Sequence, residues 1–432
     1  MNRYLNEYAQ KKTSVEHALA QIPSHSCVAC AMCAMEPQTL MANLHTIAGK
    51  VEDIHTITAL VIGSYPFMQD PQYQTTFTVD DAFYMGQARS SQKAGIASYF
   101  PCNLHSFARR YFSHHMPNVA LLSAGPMDEH GYFTCSLCSM YEQELVENAD
   151  LVILEVNSNI PRVYGDTQIH ISDVDYLVES SCPIPELQKG QVSEDDRKIG
   201  EYIASLVNDG DTIQLGIGGI PDAVAQSLMT KKDLGVHTEM ITNSIVDLVN
   251  AGVVTGKRKS LHKGKIVGTF ALGNADLYRM MENNPCVEIY RAAYVNDPFV
   301  IAKNDNMVSI NTCIAVDLVG QVCSETLGTQ QYSGSGGQSD TAYGANHAKN
   351  GRSIIALHAT AKKGTVSTIS AMLPLGSVVT LSRNSVDYIV TEYGIAPMRG
   401  RSVRERVENL IAIAHPDFRE QLRADAKACK LL

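Results

Sequence analysis

No run of about 18 or more uninterrupted apolar residues occurs in this 432-residue chain, so no membrane span is expected. Positive charge is also scarce. Lys and Arg number 35 against 45 Asp and Glu, and the formal charge of −10 argues against nucleic acid, which needs a basic face. The opening MNRYLNEYAQKKTSVEHALA is polar and lacks the apolar core of a signal peptide. The eleven cysteines are an odd number, and Cys135, Cys286, Cys313 and Cys323 sit inside strand-like runs. That pattern suits reduced thiols in a cytoplasm rather than a disulfide framework.

What is present describes a globular protein: 45% hydrophobic and 19% charged residues. The length exceeds one ordinary core, so more than one domain is expected. Short apolar strands alternate with helical stretches throughout, the signature of a mostly parallel sheet covered on both sides. CPIPELQKGQ, residues 182–191, has two prolines and polar neighbours and reads as a linker. Two echoes cross it. ACAMCAMEP near 29–37 has the shape of GIGGIP at 216–221, and NADLVILEVNSNIPRVYG near 148–165 resembles NSVDYIVTEYGIAPMRG near 384–400. The expectation is two similar open α/β domains, 1–185 and 190–432, with the active site in the cleft between them.

The chain is organised around DTIQLGIGGIPDAVAQSLMTKKDLGVHTEMITNSIVDLVNAG, residues 211–252. Thr212–Ile217 reads as a strand, the glycines as a turn, and Pro221 as the first residue of a helix reaching Met229. Val236–Met240 reads as a second strand carrying Glu239. Asn243 or Ser244 caps the next helix, and Gly252 ends it in the left-handed conformation. A bare glycine turn and a carboxylate at a strand's carboxyl end thus come from neighbouring units, on the edge where open α/β sheets bind ligands. Elsewhere, residues 3–22 read as one amphipathic helix. Ile57–Ile62, Cys286–Tyr294, Met307–Val319 and Val378–Thr380 read as β structure, and Gln330–Asp340 as a flexible polar loop.

Three loops can meet an anionic or carbonyl-rich ligand. GIGGIP has the wrong spacing for a dinucleotide fingerprint and lacks a P-loop lysine, but it exposes backbone amides at a helix start. GSGGQSD, 334–340, can form an amide nest, and Lys362-Lys363-Gly364 places positive charge beside an apolar segment. Each is also readable as a tight connection. Cys27, Cys30 and Cys33 give C-x2-C-x2-C without a fourth ligand, in an apolar stretch, so buried strand thiols are preferred to a metal site. Glu239 has two readings, a surface glutamate at a strand end or a nucleophile. A carboxylate attacks an acyl group only when it is activated, as in a thioester, and the product is a mixed anhydride. The oxyanion then needs donors, such as the Asn296 amide and a backbone N–H from 334–337.

Over nearly its whole length the sequence resembles the family I coenzyme A transferases, in the acetyl-CoA hydrolase/transferase branch. In the first half the resemblance rests on AGPMDEHGYFTCSL, LVILEVNSNIPRVYGDTQIHISDVDYLVES and CAMEPQTL. In the second half it rests on LGIGGIPDAV, HTEMITNSIVDLV, GVVTGKRK, YVNDP, INTCIAVDLVGQV, SGSGGQSD and YGIAPMRGRSVRERV. It implies that Glu239 of HTEM forms a glutamyl-CoA thioester, with Asn296 of VNDP and Gly337 of SGSGGQSD as its oxyanion donors. It places CoA contacts at Gln214, Leu215, Gly216, Ile217, Gly218, Gly219 and Ile220, and at Ile314, Gly334, Gly337 and Lys362. The family's glycine-rich sequence near 29–36 is replaced here by ACAMCAME.

The implied activity is CoA transfer between a short-chain acyl-CoA, 4-hydroxybutyryl-CoA or butyryl-CoA, and a carboxylate such as acetate. CoA is a substrate, with no permanently bound cofactor and no metal. The resemblance also implies a homodimer or a dimer of dimers. The rival readings are an acyl-CoA hydrolase on the same scaffold and a non-catalytic CoA-binding protein.

Overall fold

The computed structural model describes residues 3–432, and the chain divides into two compact units. The first holds the residues up to Leu187 together with Gly268–Val295; the second holds Gln188–Val267 and Asn296–Leu432. The chain leaves the first unit inside the proline-containing stretch read as a linker. It returns for Gly268–Val295, where no composition shift marks the crossing.

The first unit is built on a parallel sheet. Its strands are β1 (Cys27–Cys30), β2 (Ile54–Thr58), β3 (Phe77–Asp81), β4 (Ala97–Tyr99), β5 (Val119–Ala124), β6 (Leu151–Asn157) and β7 (Tyr176–Ser180), in the order β7-β6-β5-β1-β2-β3-β4. β5 is buried along its whole length, as a central strand covered on both faces must be. One core joins Val28, Leu40, Ile54, Phe67, Phe77, Leu121 and Ile153. Each such fully buried side chain stabilises the unit by about 1.5–3 kcal/mol relative to exposure.

In the second unit the strands are β8 (Thr212–Leu215), β9 (Gly235–His237), β10 (Ile266–Gly268), β11 (Met307–Thr312), β12 (Arg352–Ala356), β13 (Tyr388–Thr391) and β14 (Gly394–Pro397). The order is β14-β13-β12-β11-β8-β9-β10, parallel except for the terminal β13–β14 pair. Helices Glu194–Ser205, Gly219–Ser227, Asn243–Asn250, Gln338–His347 and Val403–Ile413 flank it. A second core gathers Leu318, Ile355, Ile389, Val407 and Leu410. In both units the strand order reverses at the first strand, β1 beside β5 and β8 beside β11. The first sequence echo occupies like places, β1 and β8 at the two reversals; the second does not, since β6 lies two strands from β1 and β13 three from β8.

Several elements differ from the sequence expectation. The helix expected over 3–22 breaks into Arg3–Lys11 and Val15–Leu19, because Ser14 caps the second and the Thr13 N–H donates to the Leu177 carbonyl. β2 starts and ends earlier than Ile57–Ile62, since Leu60 takes a left-handed φ of 51° that no strand accepts. The apolar run Met307–Val319 is two strands in different sheets, and only Val287–Ile289 of Cys286–Tyr294 is strand, the rest feeding a helical turn at Ala292–Val295. Val378–Thr380 is exposed connection rather than strand, lacking a neighbouring ladder. Gln330–Asp340 is not a uniform loop: Gly334 and Gly337 are buried and a helix starts at Gln338. Among the described residues, no helix is long and apolar enough to cross a membrane.

Candidate active site

The site lies at the carboxyl edge of the second sheet, where β8 and β11 meet at the order reversal. A crevice outside strand ends at such a switch is where open α/β sheets hold ligands. β8 ends at Leu215 and the chain turns through Gly216, Ile217 and Gly218 into helix Gly219–Ser227. Gly218 is the helix cap at φ 114°, a conformation that needs glycine. Pro221 is the third helical residue rather than the first, because the glycines themselves enter the helix; its missing N–H still falls among the first-turn groups without an intrahelical partner. Leu215, Gly216, Ile217, Gly218, Gly219 and Ile220 therefore form one strand-turn-helix corner.

Glu239 sits in a two-residue break between β9 and the short strand Met240–Ile241, not within one continuous strand. Thr238 causes the break. Its N–H donates to the Val267 carbonyl at 3.0 Å, and its hydroxyl donates to the Met240 carbonyl at 3.1 Å and the Leu215 carbonyl at 3.4 Å. The neighbours are thereby fixed while the Glu239 side chain is left half-buried at the edge. The next helix begins at Asn243, so the position before it is Thr242, which makes no side-chain cap bond, and Gly252 ends the turn at φ 73°.

Asn296, fully buried, donates its Nδ2 to Glu239 Oε2 at 3.3 Å. It immediately precedes Asp297, whose carboxylate caps Pro298–Ile301 and holds the turn. Gly337 presents its backbone N–H to the same carboxylate from the start of helix Gln338–His347. A β-carbon at Gly337 would come within 3.0 Å of both Glu239 Oε2 and Asn296 Nδ2, so only glycine fits. Burial pushes the Glu239 carboxyl up to about 7. The Asp340 charge pushes in the same direction, and the Gly337 and Asn296 donors pull it back.

The structure thus brings Glu239, Asn296 and Gly337 together. Gly334 is buried three residues before Gly337, and Gly336 turns the chain between them at φ 50°. Ile314 lies in the connection after β11, its N–H donating to the Cys323 carbonyl at 2.9 Å. Lys362 is at the exposed tip of a hairpin, in left-handed conformation with Lys363 and Gly364. Gln214 is buried, its carboxamide engaged with Ser309, Ile310 and Asn311. Two neighbours of the site escaped the sequence reading: Asp340, which acts on the Glu239 titration, and Thr341, whose N–H donates to the Gly337 carbonyl and whose hydroxyl meets Ser309 and Asn311. The signal for both was their place in the first turn of the helix that SGSGGQSD opens. Of the C-x2-C-x2-C thiols, Cys30 and Cys33 are buried in the first unit, and burial raises their pKa well above the ordinary thiol value.

Models of the N-terminal and C-terminal domains of acetyl-CoA hydrolase/transferase match residues 1–186 and 273–426. A 4-hydroxybutyrate coenzyme A transferase of Clostridium kluyveri is 45% identical over 421 residues, 97% of this chain and 98% of that protein. A butyryl-CoA:acetate CoA-transferase of Anaerostipes caccae is 36% identical over 440 residues, 99% of this chain and 98% of that one. The crystal structure of RipA from Yersinia pestis superposes with a TM-score of 0.95 at 36% identity, covering 99% of this chain and 100% of its own. An acetyl-CoA hydrolase of Neurospora crassa is more distant, 25% identical over 71% of this chain and 65% of that protein.

Proposed function

This chain belongs to the acetyl-CoA hydrolase/transferase family and is a CoA-transferase; from that premise we propose that it moves CoA between a short-chain acyl-CoA, 4-hydroxybutyryl-CoA or butyryl-CoA, and a carboxylate such as acetate, through a thioester on Glu239. The observation that carries the role of Glu239 is its half-buried carboxylate, met by the Asn296 amide at 3.3 Å and by a helix-start N–H at a residue where no β-carbon fits.

Glu239 attacks the acyl thioester carbonyl, and the Asn296 Nδ2 and Gly337 N–H stabilise the oxyanion. CoA thiolate leaves and an acyl-glutamyl anhydride remains. The thiolate attacks the glutamyl carbonyl, the acyl carboxylate departs, and CoA stays on Glu239. The acceptor carboxylate reverses these steps and leaves with CoA. Positioning supplies much of the rate, and binding of CoA's remote parts at the 214–220 corner, Ile314, Gly334 and Lys362 is spent on it. We place the reaction in a cytoplasm, in keeping with eleven free cysteines, and in a homodimer or dimer of dimers, as the family resemblance suggests.

The test is chemical trapping. Incubation with butyryl-CoA followed by borohydride should inactivate the enzyme and leave mass spectrometry with a reduced Glu239. A protein that stays active and unmodified would overturn the mechanism. Release of CoA at an equal rate with and without acetate would move the reading to a hydrolase.

A further inference from the structure

Gln214 lies in the stretch read as contacting CoA, yet its side chain is turned inward. It is 4% exposed, and its carboxamide is occupied on both sides. Oε1 accepts the Ile310 N–H at 3.2 Å and Asn311 Nδ2 at 3.2 Å, while Nε2 donates to Asn311 Oδ1 at 3.3 Å. The two amides form a closed pair across β8 and β11 where the strands end at the order reversal.

The pair continues upward. Asn311 Nδ2 lies 3.2 Å from Thr341 Oγ1, and Ser309 Oγ lies 3.0 Å from the same hydroxyl. The Thr341 N–H donates to the Gly337 carbonyl at 2.8 Å. Gly337, the residue whose N–H faces Glu239, therefore starts a helical turn tied through Thr341 to β11 and, through Asn311, to Gln214 on β8. Side chains beside it are fastened as well: Gln338 Nε2 to the Thr312 carbonyl at 2.9 Å, and Ser339 Oγ to the Thr380 carbonyl at 2.6 Å.

Resting on the nucleophilic reading of Glu239, we infer that Gln214, Asn311 and Thr341 are positioning residues that set the Gly337 N–H against the Glu239 carboxylate, and that Gln214 does not use its side chain to hold CoA. The physical reason is tolerance. A donor helps an oxyanion only when its hydrogen-bond distance is right, and a misplacement of about 1 Å costs on the order of 100-fold in rate. A glycine has no side chain of its own to fix it, so the fixing falls to the turn that follows. The buried polar groups are satisfied by one another, which makes the arrangement rigid.

The experiment compares Thr341→Val, Thr341→Ser and Gln214→Met in steady-state transfer from butyryl-CoA to acetate, with Glu239→Gln as control. The expected result is a kcat at least ~10-fold lower for Thr341→Val and Gln214→Met, with KM for butyryl-CoA within about twofold of the parent, and recovery in Thr341→Ser. Circular dichroism and melting establish that the variants fold; should Gln214→Met fail to fold, the Thr341 pair carries the test. A raised KM with unchanged kcat in Gln214→Met would make Gln214 a CoA contact and overturn the inference. So would a Thr341→Val enzyme as fast as the parent. Full activity in Glu239→Gln is a separate failure, that of the nucleophile assignment.

Discussion

Asn296 and Glu239 are 57 residues apart in sequence, yet the amide of one donates to the carboxylate of the other at 3.3 Å. Both belong to the second unit, and Asn296 is its first residue after the excursion into the first. Removing that amide leaves Gly337 as the remaining donor of the pair. Asn296→Ala should lower kcat by about 100- to 1,000-fold, the cost of one oxyanion donor, with KM for acyl-CoA little changed. Steady-state kinetics at saturating acetate checks it.

Gly337 has φ −93°, a conformation open to any residue, so Gly337→Ala should fold normally. Its β-carbon would nevertheless displace the Glu239 carboxylate or the Asn296 amide. Activity should fall at least ~100-fold while the melting temperature stays within a few degrees. A large loss of melting temperature would instead point to a general packing role.

In the proposed mechanism Glu239 must be ionised to attack. With the Glu239 carboxyl raised to about 7, kcat/KM for acyl-CoA should rise with pH and level off above an inflection near that value. Part of the elevation comes from Asp340. Asp340→Asn should therefore move the inflection downward, toward the ordinary carboxyl range. A pH profile between 5 and 9 for both enzymes decides, and an unmoved inflection would count against the coupling.

The same shift affects folding. Between the ordinary value of 4.5 and about 7 the unfolded chain has lost this proton while the folded one keeps it. Stability therefore falls as pH rises through that window and stays lower above it. Glu239→Gln removes the ionisation. It should stabilise the protein by about 1–3 kcal/mol at pH 8 relative to the parent, with a much smaller difference at pH 4. Thermal melting at the two pH values measures this, and it would show catalytic need working against stability.

Gly218 at φ 114° is the one glycine of the 214–220 corner held in a conformation closed to L side chains, although an added β-carbon would meet nothing within 4 Å. Gly218→Ala should distort the turn at a cost of about 1–3 kcal/mol and raise KM for acyl-CoA. Titration calorimetry with CoA checks the loss of affinity directly.

The sequence disclosed the strand-helix alternation because apolar runs such as VALLSA and LVILEVN are long, and a fully covered strand has no other signature. It disclosed the glycine corner because Gly216, Gly218 and Gly219 leave the backbone few alternatives to a turn. Where apolar runs conceal breaks, it misled. The break at Thr238–Glu239 depends on a threonine hydroxyl bonding to Leu215 on another strand, and the division of Met307–Val319 depends on which neighbour each half finds. Such tertiary partners leave no local pattern. The roles of Gln214 and Thr341 were hidden for the same reason: a buried amide and an exposed one are spelled alike.

The break at Thr238–Glu239 has a consequence for biosynthesis. The Glu239 carboxylate meets its partners only when residues 215, 296 and 337 have all arrived, and the last is encoded far downstream of the first. A nascent or partly folded chain therefore lacks the arrangement that the proposed nucleophile needs. The arrangement is complete only once the second unit has folded around its own switch point.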